Sequence, residues 1–220
     1  MKKLIQLAAL LLIITSCEFN VNVGGEENEV DFGPMPVVEN KTFEKIYIVN
    51  EDVCAQKKLP PTRFAIEFPN ELDVKLPDNE RDHINLKRWE NGIITEEISI
   101  GNSTITAANK NLATPLLEQL VAEFKKQIPE LQIDFIGQKK FKGEMAHMFQ
   151  GHVELIGVED QGYAGNYFMM GMVPLPKEQE DMNAILVTFV AQENSQIQSY
   201  QDFENAGMIG EVWNTFRYLE

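Results

Sequence analysis

Cys17 is the residue whose neighbours point most directly to a specific chemistry. It follows Ile14-Thr15-Ser16, and upstream lie a basic pair, Lys2-Lys3, and an apolar run over residues 4–14. This order is typical of a secretory signal peptide that ends in a lipoprotein cleavage box. In that pattern the thiol receives a diacylglycerol, cleavage falls between Ser16 and Cys17, and the new amine is usually acylated, for example with palmitate. The sequence therefore predicts lipid attachment at Cys17 and removal of residues 1–16.

Two alternatives remain open for this segment: a plain signal peptide with a coincidental cysteine, and a short membrane helix. The apolar run has about a dozen residues, whereas a helix needs roughly 20 to cross a bilayer. No later run of about 18 apolar residues occurs in the chain. We therefore expect the protein to be tethered by lipid to a membrane of the bacterial cell envelope, facing the periplasm or the cell surface.

The second cysteine, Cys54, would have no intramolecular partner once Cys17 carries lipid. A lone thiol in an exported protein can pair between molecules or react. A nucleophilic cysteine needs a nearby histidine or a helix N-terminus, and the sequence around Cys54 indicates neither. We expect a small, partly buried residue.

The three histidines are candidates for a metal site or a catalytic base. His147 and His152 lie five apart on a predicted strand, so they point to opposite faces and cannot share a metal through that strand. His147 shares its face with apolar residues and is predicted to be half-buried with its polar atoms satisfied. His83 is predicted to lie in a polar connection. A zinc site needs three or four converging ligands, and the spacing predicts no metal site.

Methionines and acidic pairs suggest two further sites, and both are disfavoured. Thioethers bind Cu(I), but Met169 and Met170 point to opposite faces of a predicted strand, so core packing is favoured for this group and for Met172. The acidic pairs lie at residues 96–97, 159–160 and 180–181. Neighbouring strand residues diverge, and the chain has no twelve-residue calcium loop, phosphate-binding glycine loop or G-x-S-x-G motif. We predict no catalytic residue and no cofactor.

The charge of the chain excludes one class of partner. Formal net charge is −15, and because residues 1–16 contain two of the 19 basic residues and none of the 34 acidic ones, the mature chain carries −17. Such an excess repels phosphate backbones, so we expect no nucleic acid partner. It also repels anionic lipid, which leaves the acyl chains as the membrane contact.

Composition divides the mature chain into two parts. Residues 17–42 are rich in glycine, proline and acidic residues, which predicts a solvated, flexible tether. The tether is a spacer or, alternatively, a sorting signal for the membrane or the cell surface. Residues 43–220 are predicted to form a single α+β domain.

Periodicity predicts the elements of this domain. A helix is expected from Pro115 to Ile128, with a second from about residue 202 or 206 to 219. Asn91-Gly92 predicts a hairpin, and the run over residues 185–190 predicts a central strand covered on both faces. Further strands are predicted at residues 64–68, 72–76, 84–89, 93–100, 131–135, 145–156, 163–173 and 182–192. The first two of these are expected to lie near one another in the same sheet. Hairpin-linked strands with two helices indicate a central antiparallel sheet with helices packed on its faces.

The order of these elements resembles the Mog1/PsbP-like family. The resemblance rests on Phe64-Ala-Ile-Glu-Phe-Pro69-Asn70, on Gly143-Glu-Met-Ala146 before a long strand, on residues 162–167, and on the closing helix with Trp213-Asn-Thr-Phe216. It covers residues from near Arg63 to the end, and residues 43–49 would add an extra strand. It implies an α/β/α sandwich and a role among protein-binding cofactors, photosystem assembly subunits or secretion adaptors, most of which are not enzymes. No residue set here maps onto the family's metal-linked roles.

Together these observations predict a non-catalytic lipoprotein that binds another protein or assists an envelope assembly. The main alternative is a lipoprotein that binds a small ligand or ion in a pocket at a helix–sheet edge. A hydrolytic enzyme is the less favoured alternative, because it would need a cleft that gathers residues such as His83, His152 or Asp82.

Overall fold

The computed structural model describes residues 43–77, 81–176, 182–193 and 195–219. The predicted signal peptide, Cys17 and the predicted tether lie outside these residues, as does the acidic pair at 180–181. Within the described ranges, none of the helices is long and apolar enough to span a bilayer.

The largest element is a sheet of seven antiparallel strands in the order β3-β4-β5-β9-β8-β7-β6. Its strands are β3 (Asp73–Lys75), β4 (Asp82–Glu90), β5 (Ile93–Asn102), β6 (Gln132–Phe141), β7 (Glu144–Val158), β8 (Tyr163–Val173) and β9 (Ile185–Gln192). The predicted hairpin between β4 and β5 is confirmed, since Asn91 and Gly92 have φ of 53° and 80°, the left-handed conformations that a two-residue turn requires. The strand predicted to be central, β9, is the fourth of the seven and is covered on both faces.

One face of this sheet, the helix face, packs against helix α2 (Ala113–Gln127). The helix buries Leu117, Val121 and Phe124, which recur at the spacing of one helical stripe. They meet strand residues that include Phe149 and Tyr167. The predicted helix and its stripe are confirmed, with Pro115 in the first turn.

The opposite face packs against a second, three-stranded antiparallel sheet in the order β1-β2-β10. We call this face of the large sheet the small-sheet face. Its buried residues include Met148, Met170, Met172, Val187 and Phe189. The small sheet contains β1 (Lys45–Val49), β2 (Phe64–Phe68) and β10 (Arg217–Tyr218) and is flanked by helices α1 (Glu51–Lys57) and α3 (Gly207–Trp213). The predicted α+β class, an antiparallel sheet with helices on its faces, is confirmed, and so is the extra strand before residue 50.

Three details of the sequence prediction were wrong. The strands at residues 64–68 and near 72–76 lie in different sheets, because β2 pairs with β1 whereas β3 pairs with β4. Helix α1 was not predicted; Asn50 caps it by accepting the Val53 N–H at 2.9 Å. The closing helix ends at Trp213 rather than 219, because the Thr215 hydroxyl bonds both the N–H and the carbonyl of Glu67 and turns the chain into β10.

Candidate functional site

A cleft of about 690 Å³ opens on the small-sheet face beside β10. This volume lies in the range of roughly 300–1,000 Å³ typical of ligand sites. Phe141, Ala146 and Met172 come from the large sheet, Trp213 and Tyr218 come from α3 and β10, and Phe216 comes from the connection between those two elements. Two cations, Lys142 and Arg217, also line it.

The cleft exists because the small sheet is narrower than the large one. The Tyr218 hydroxyl donates to the Pro174 carbonyl at 2.7 Å and accepts the Ile185 N–H at 3.0 Å. These bonds hold β10 over the end of β8 and the start of β9. The small sheet ends at β10, so the neighbouring part of the large sheet, where β6 ends and β7 begins, lines an open cleft.

The outer edge of β10 borders this cleft. Leu219 donates its N–H to the Arg63 carbonyl at 3.0 Å, and Arg217 pairs with Ala65. Because bonding alternates along an antiparallel strand, the N–H and carbonyl of Tyr218 between them point away from β2. Among the described residues, no strand pairs with this edge of β10.

The apolar lining combines rigid rings with flexible thioethers. Trp213 and Phe216 stack with ring centroids 4.4 Å apart and planes at 12°. Met145, Met172 and Met182 also line the cleft, and Met145 is 61% exposed. Methionine adapts its shape to different apolar partners and is common at binding surfaces. The lining can therefore accept apolar side chains without demanding one shape.

The two cations of the cleft differ in how their charge is balanced. The guanidinium of Arg217 lies 3.0 Å from the carboxylate of Glu67, which is fully buried. The ammonium of Lys142 donates to the neutral side chain of Asn214. Burial lowers the pKa of Lys142 to about 8, and the nearby Glu204 carboxylate opposes part of that shift. Lys142 is thus the cation best placed to meet an added acidic group.

His147 and His152 lie on opposite faces of β7, as predicted. His147 is buried on the helix face, where its Nε2 accepts from the Gln138 amide at 3.0 Å and its Nδ1 lies 2.8 Å from the Thr114 hydroxyl. Burial, together with Lys110, lowers its pKa. The prediction that the polar atoms of His147 are satisfied is confirmed, and the side chain is more deeply buried than the half-buried position that was predicted.

His152 lies on the other face in a surface cluster with Asp134 and Tyr200. Its Nδ1 is 2.8 Å from Asp134 Oδ2, and Tyr200 donates to the same oxygen. Burial raises the pKa of Asp134, but the hydrogen bonds from Tyr200 and His152 outweigh this effect and hold that pKa below its usual value.

His83 was expected in a polar connection, and this prediction was wrong. It lies on β4 with no exposed surface, 5.2 Å from the Phe64 ring between centroids. Neither ring nitrogen has a partner among the described residues, and burial lowers its pKa to about 4. Three strands separate β4 from β7, so His83 and its neighbour Asp82 are not brought together with His152.

The remaining candidates from the sequence are structural. Cys54 is 1% exposed and donates to the Thr62 carbonyl, and burial raises its pKa, the opposite of what activates a nucleophile. The adjacent acids diverge as predicted: Glu96 accepts the Ile209 N–H at 2.8 Å at the start of α3, whereas Glu97 accepts from Tyr163 on the helix face.

Met169 and Met170 likewise face opposite sides of β8 and are buried in different cores. Among the described residues, no group of three or more His, Cys, Asp and Glu side chains could hold a metal ion.

The alternative of a pocket at a helix–sheet edge named no residues, so the position and lining of this cleft were not predicted. Its border is a two-residue strand, too short for any periodic signal, and its lining comes from segments near residues 141–146, 172–176, 182 and 213–219. The nearest signal in the sequence is its group of methionines, of which Met145, Met172 and Met182 line the cleft.

Comparison with known proteins finds structural likeness only. No protein-family model and no curated protein matches the chain. Its fold is similar to that of cyanobacterial PsbP (CyanoP) from Synechocystis, with 11% sequence identity, a TM-score of 0.46, and coverage of 85% of this chain and 100% of that one. It is also similar to a Bacteroides thetaiotaomicron protein with 12% identity and a TM-score of 0.41; this chain is covered to 80% and spans about half, 48%, of that protein.

The likeness to PsbP agrees with the resemblance found in the sequence. Both likenesses concern the fold alone.

Proposed function

We propose that this chain is an exported bacterial lipoprotein, anchored through lipid on Cys17, whose α+β domain binds another protein without catalysing a reaction. The cleft beside β10 carries the proposal, because it combines an open sheet edge, adaptable apolar side chains and an accessible cation. The lipoprotein box and the acidic segment after it support the anchor and a spacer between membrane and domain.

Two experiments test the two halves of this proposal. Replacing Cys17 with Ala should release the protein from the membrane fraction and abolish incorporation of radiolabelled palmitate. Membrane association with unchanged processing in the C17A variant would contradict the anchor.

For the binding function, the intact lipoprotein should be crosslinked in cells and purified in gentle detergent. A defined partner should then co-purify, and recovery of the lipoprotein alone would count against a stable partner.

A small-ligand function is the second candidate, favoured by one observation. The stacked pair Trp213 and Phe216 and the Lys142 ammonium line one cleft of ligand-site size, an arrangement that suits a small amphipathic anion. A rise in Tm with small carboxylates that is lost in the Lys142→Met variant, without any protein partner in crosslinking, would favour this candidate.

A further inference from the structure

The position of β10 also indicates which conformation a bound segment of the partner would adopt. Resting on the protein-binding function proposed above, we infer that the cleft receives an extended segment of the partner, which pairs with β10 as a fourth strand of the small sheet and places an acidic side chain on Lys142.

The hydrogen-bonding edge is present before the partner arrives. The N–H and carbonyl of Tyr218 and the carbonyl of Phe216 project from the side of β10 that faces away from β2. An extended peptide can satisfy such groups by adding one strand to the sheet. A small ligand or a helix offers no matching row of backbone donors and acceptors.

The space beside this edge has the dimensions of a missing strand. Neighbouring strands lie about 4.8 Å apart and packed sheets about 10 Å apart. A strand added beyond β10 would therefore lie above the junction of β6 and β7, over Phe141 and Ala146. The seven-stranded sheet already supplies the layer on which that strand would pack.

Side-chain alternation then sets the chemistry of the segment. Every second residue of the added strand would point toward the large sheet, into the lining formed by Ala146, Met172 and Trp213. These positions call for apolar side chains. The partner segment should therefore alternate apolar and polar residues.

The charges of Arg217 and Lys142 indicate where an acidic residue of the bound segment would lie. The carboxylate of Glu67 forms an ion pair with Arg217. The Lys142 ammonium donates to the neutral Asn214 side chain, and the Glu204 carboxylate near it accepts the Lys142 backbone N–H at 3.0 Å rather than a bond from the ammonium. A carboxylate on the bound segment would form a charge-assisted hydrogen bond with Lys142. In the unbound protein, burial disfavours the charged form of the Lys142 ammonium. The bond to the carboxylate would offset this cost of burial.

The experiment uses the full chain in mild detergent and a phage library of random twelve-residue peptides. Peptides are selected on the wild-type chain and counter-selected on Ala146→Trp, which fills the floor of the cleft. Ile156→Trp is the matched control, because Ile156 lies on the same strand, is 76% exposed and does not line the cleft. Hydrogen exchange of residues 213–219 is measured with and without each selected peptide.

Enriched peptides should alternate apolar and polar residues and carry an acidic residue. They should slow exchange of residues 213–219, and backbone N-methylation on the pairing edge should weaken their binding at least tenfold. Ala146→Trp should lose binding while Ile156→Trp retains it. Lys142→Glu, a substitution at the cleft rim, should weaken acidic peptides at least tenfold even if Ala146→Trp fails to fold.

Failure to enrich any peptide, or equal affinity of N-methylated peptides, would overturn strand addition. Equal affinity of Lys142→Glu for acidic peptides would overturn the placement of the carboxylate. A partner that still crosslinks to the lipoprotein in cells would leave the protein-binding function standing while the strand-addition inference falls.

Discussion

The Tyr218 hydroxyl donates to the Pro174 carbonyl at 2.7 Å and thereby joins the last strand of the small sheet to the end of β8. The same hydroxyl accepts the Ile185 N–H at 3.0 Å. One side chain thus ties β10 to the large sheet at the border of the cleft.

Removing this hydroxyl should loosen the edge strand. Tyr218→Phe leaves the Pro174 carbonyl and the Ile185 N–H without their partner, which should cost about 1–3 kcal/mol of unfolding free energy. Urea unfolding measures the loss. Tyr200→Phe is the control, since the Asp134 carboxylate that its hydroxyl meets is 41% exposed and can turn to water. Equal stabilities for the two variants would contradict the role of Tyr218.

Stability should depend on pH through His83. Its pKa is about 4 in the folded protein, against 6.5 when exposed, so the unfolded chain binds the proton more tightly. Stability from this group is therefore complete above pH 6.5 and is lost as the pH falls toward 4. The shift corresponds to about 3 kcal/mol.

The His83→Leu variant tests this dependence by urea unfolding between pH 7 and pH 4. Wild type should lose about 3 kcal/mol more than the variant over this range. Ile84→Val, a change on the same strand that removes no titrating group, should keep the wild-type slope. A His83→Leu profile parallel to wild type would show that His83 does not titrate as argued.

The buried pair Lys87 and Glu97 should respond differently to single and double substitution. The ammonium and carboxylate lie 3.7 Å apart with side chains 6% and 3% exposed. Glu97→Leu alone leaves the buried Lys87 ammonium without its carboxylate partner and should lower the free energy of unfolding by about 3–5 kcal/mol. The double variant Lys87→Met/Glu97→Leu should recover part of that loss, as judged by thermal unfolding. A double variant less stable than Glu97→Leu would contradict this account.

Lys142 should titrate well below an ordinary lysine. Its pKa of about 8 compares with about 10.4 for an exposed lysine, so about half of its side chains are neutral at pH 8. NMR titration of the reductively ¹³C-methylated protein should show one resonance moving near pH 8. That resonance should be missing in Lys142→Met, and a midpoint above pH 10 would contradict the burial of this ammonium.

The main sheet was predictable because its strands and α2 are long enough to show their periods. Side chains along residues 163–173 alternate between the cores on the two faces of the sheet. The stripe Leu117, Val121 and Phe124 is buried against one of these cores. The face on which His147 lies was predicted correctly for the same reason. The lipoprotein box remains a prediction from the sequence.

The cleft was not predictable because non-local contacts create it. Thr215 ends the helical pattern by bonding to Glu67, 148 positions earlier in the chain, and the helical stripe of the closing segment gives no sign of this. The position of His83 was predicted wrongly because its neighbours in the sequence are polar, whereas the small sheet that covers it comes from distant segments. At Thr215 and at His83, contacts between distant segments therefore determine the structure more strongly than the local sequence pattern.

The protein-binding role proposed for the cleft beside β10 can be examined by placing a photo-crosslinking amino acid at Met145, in the cleft, and separately at Ile156, on the same strand outside it, in the full chain in its own cells. One discrete protein adduct is expected from position 145 and none from position 156, and the adduct should be lost when Ala146→Trp is added. Adducts of equal yield from both positions, or none from position 145, would show that the cleft does not bind a protein partner.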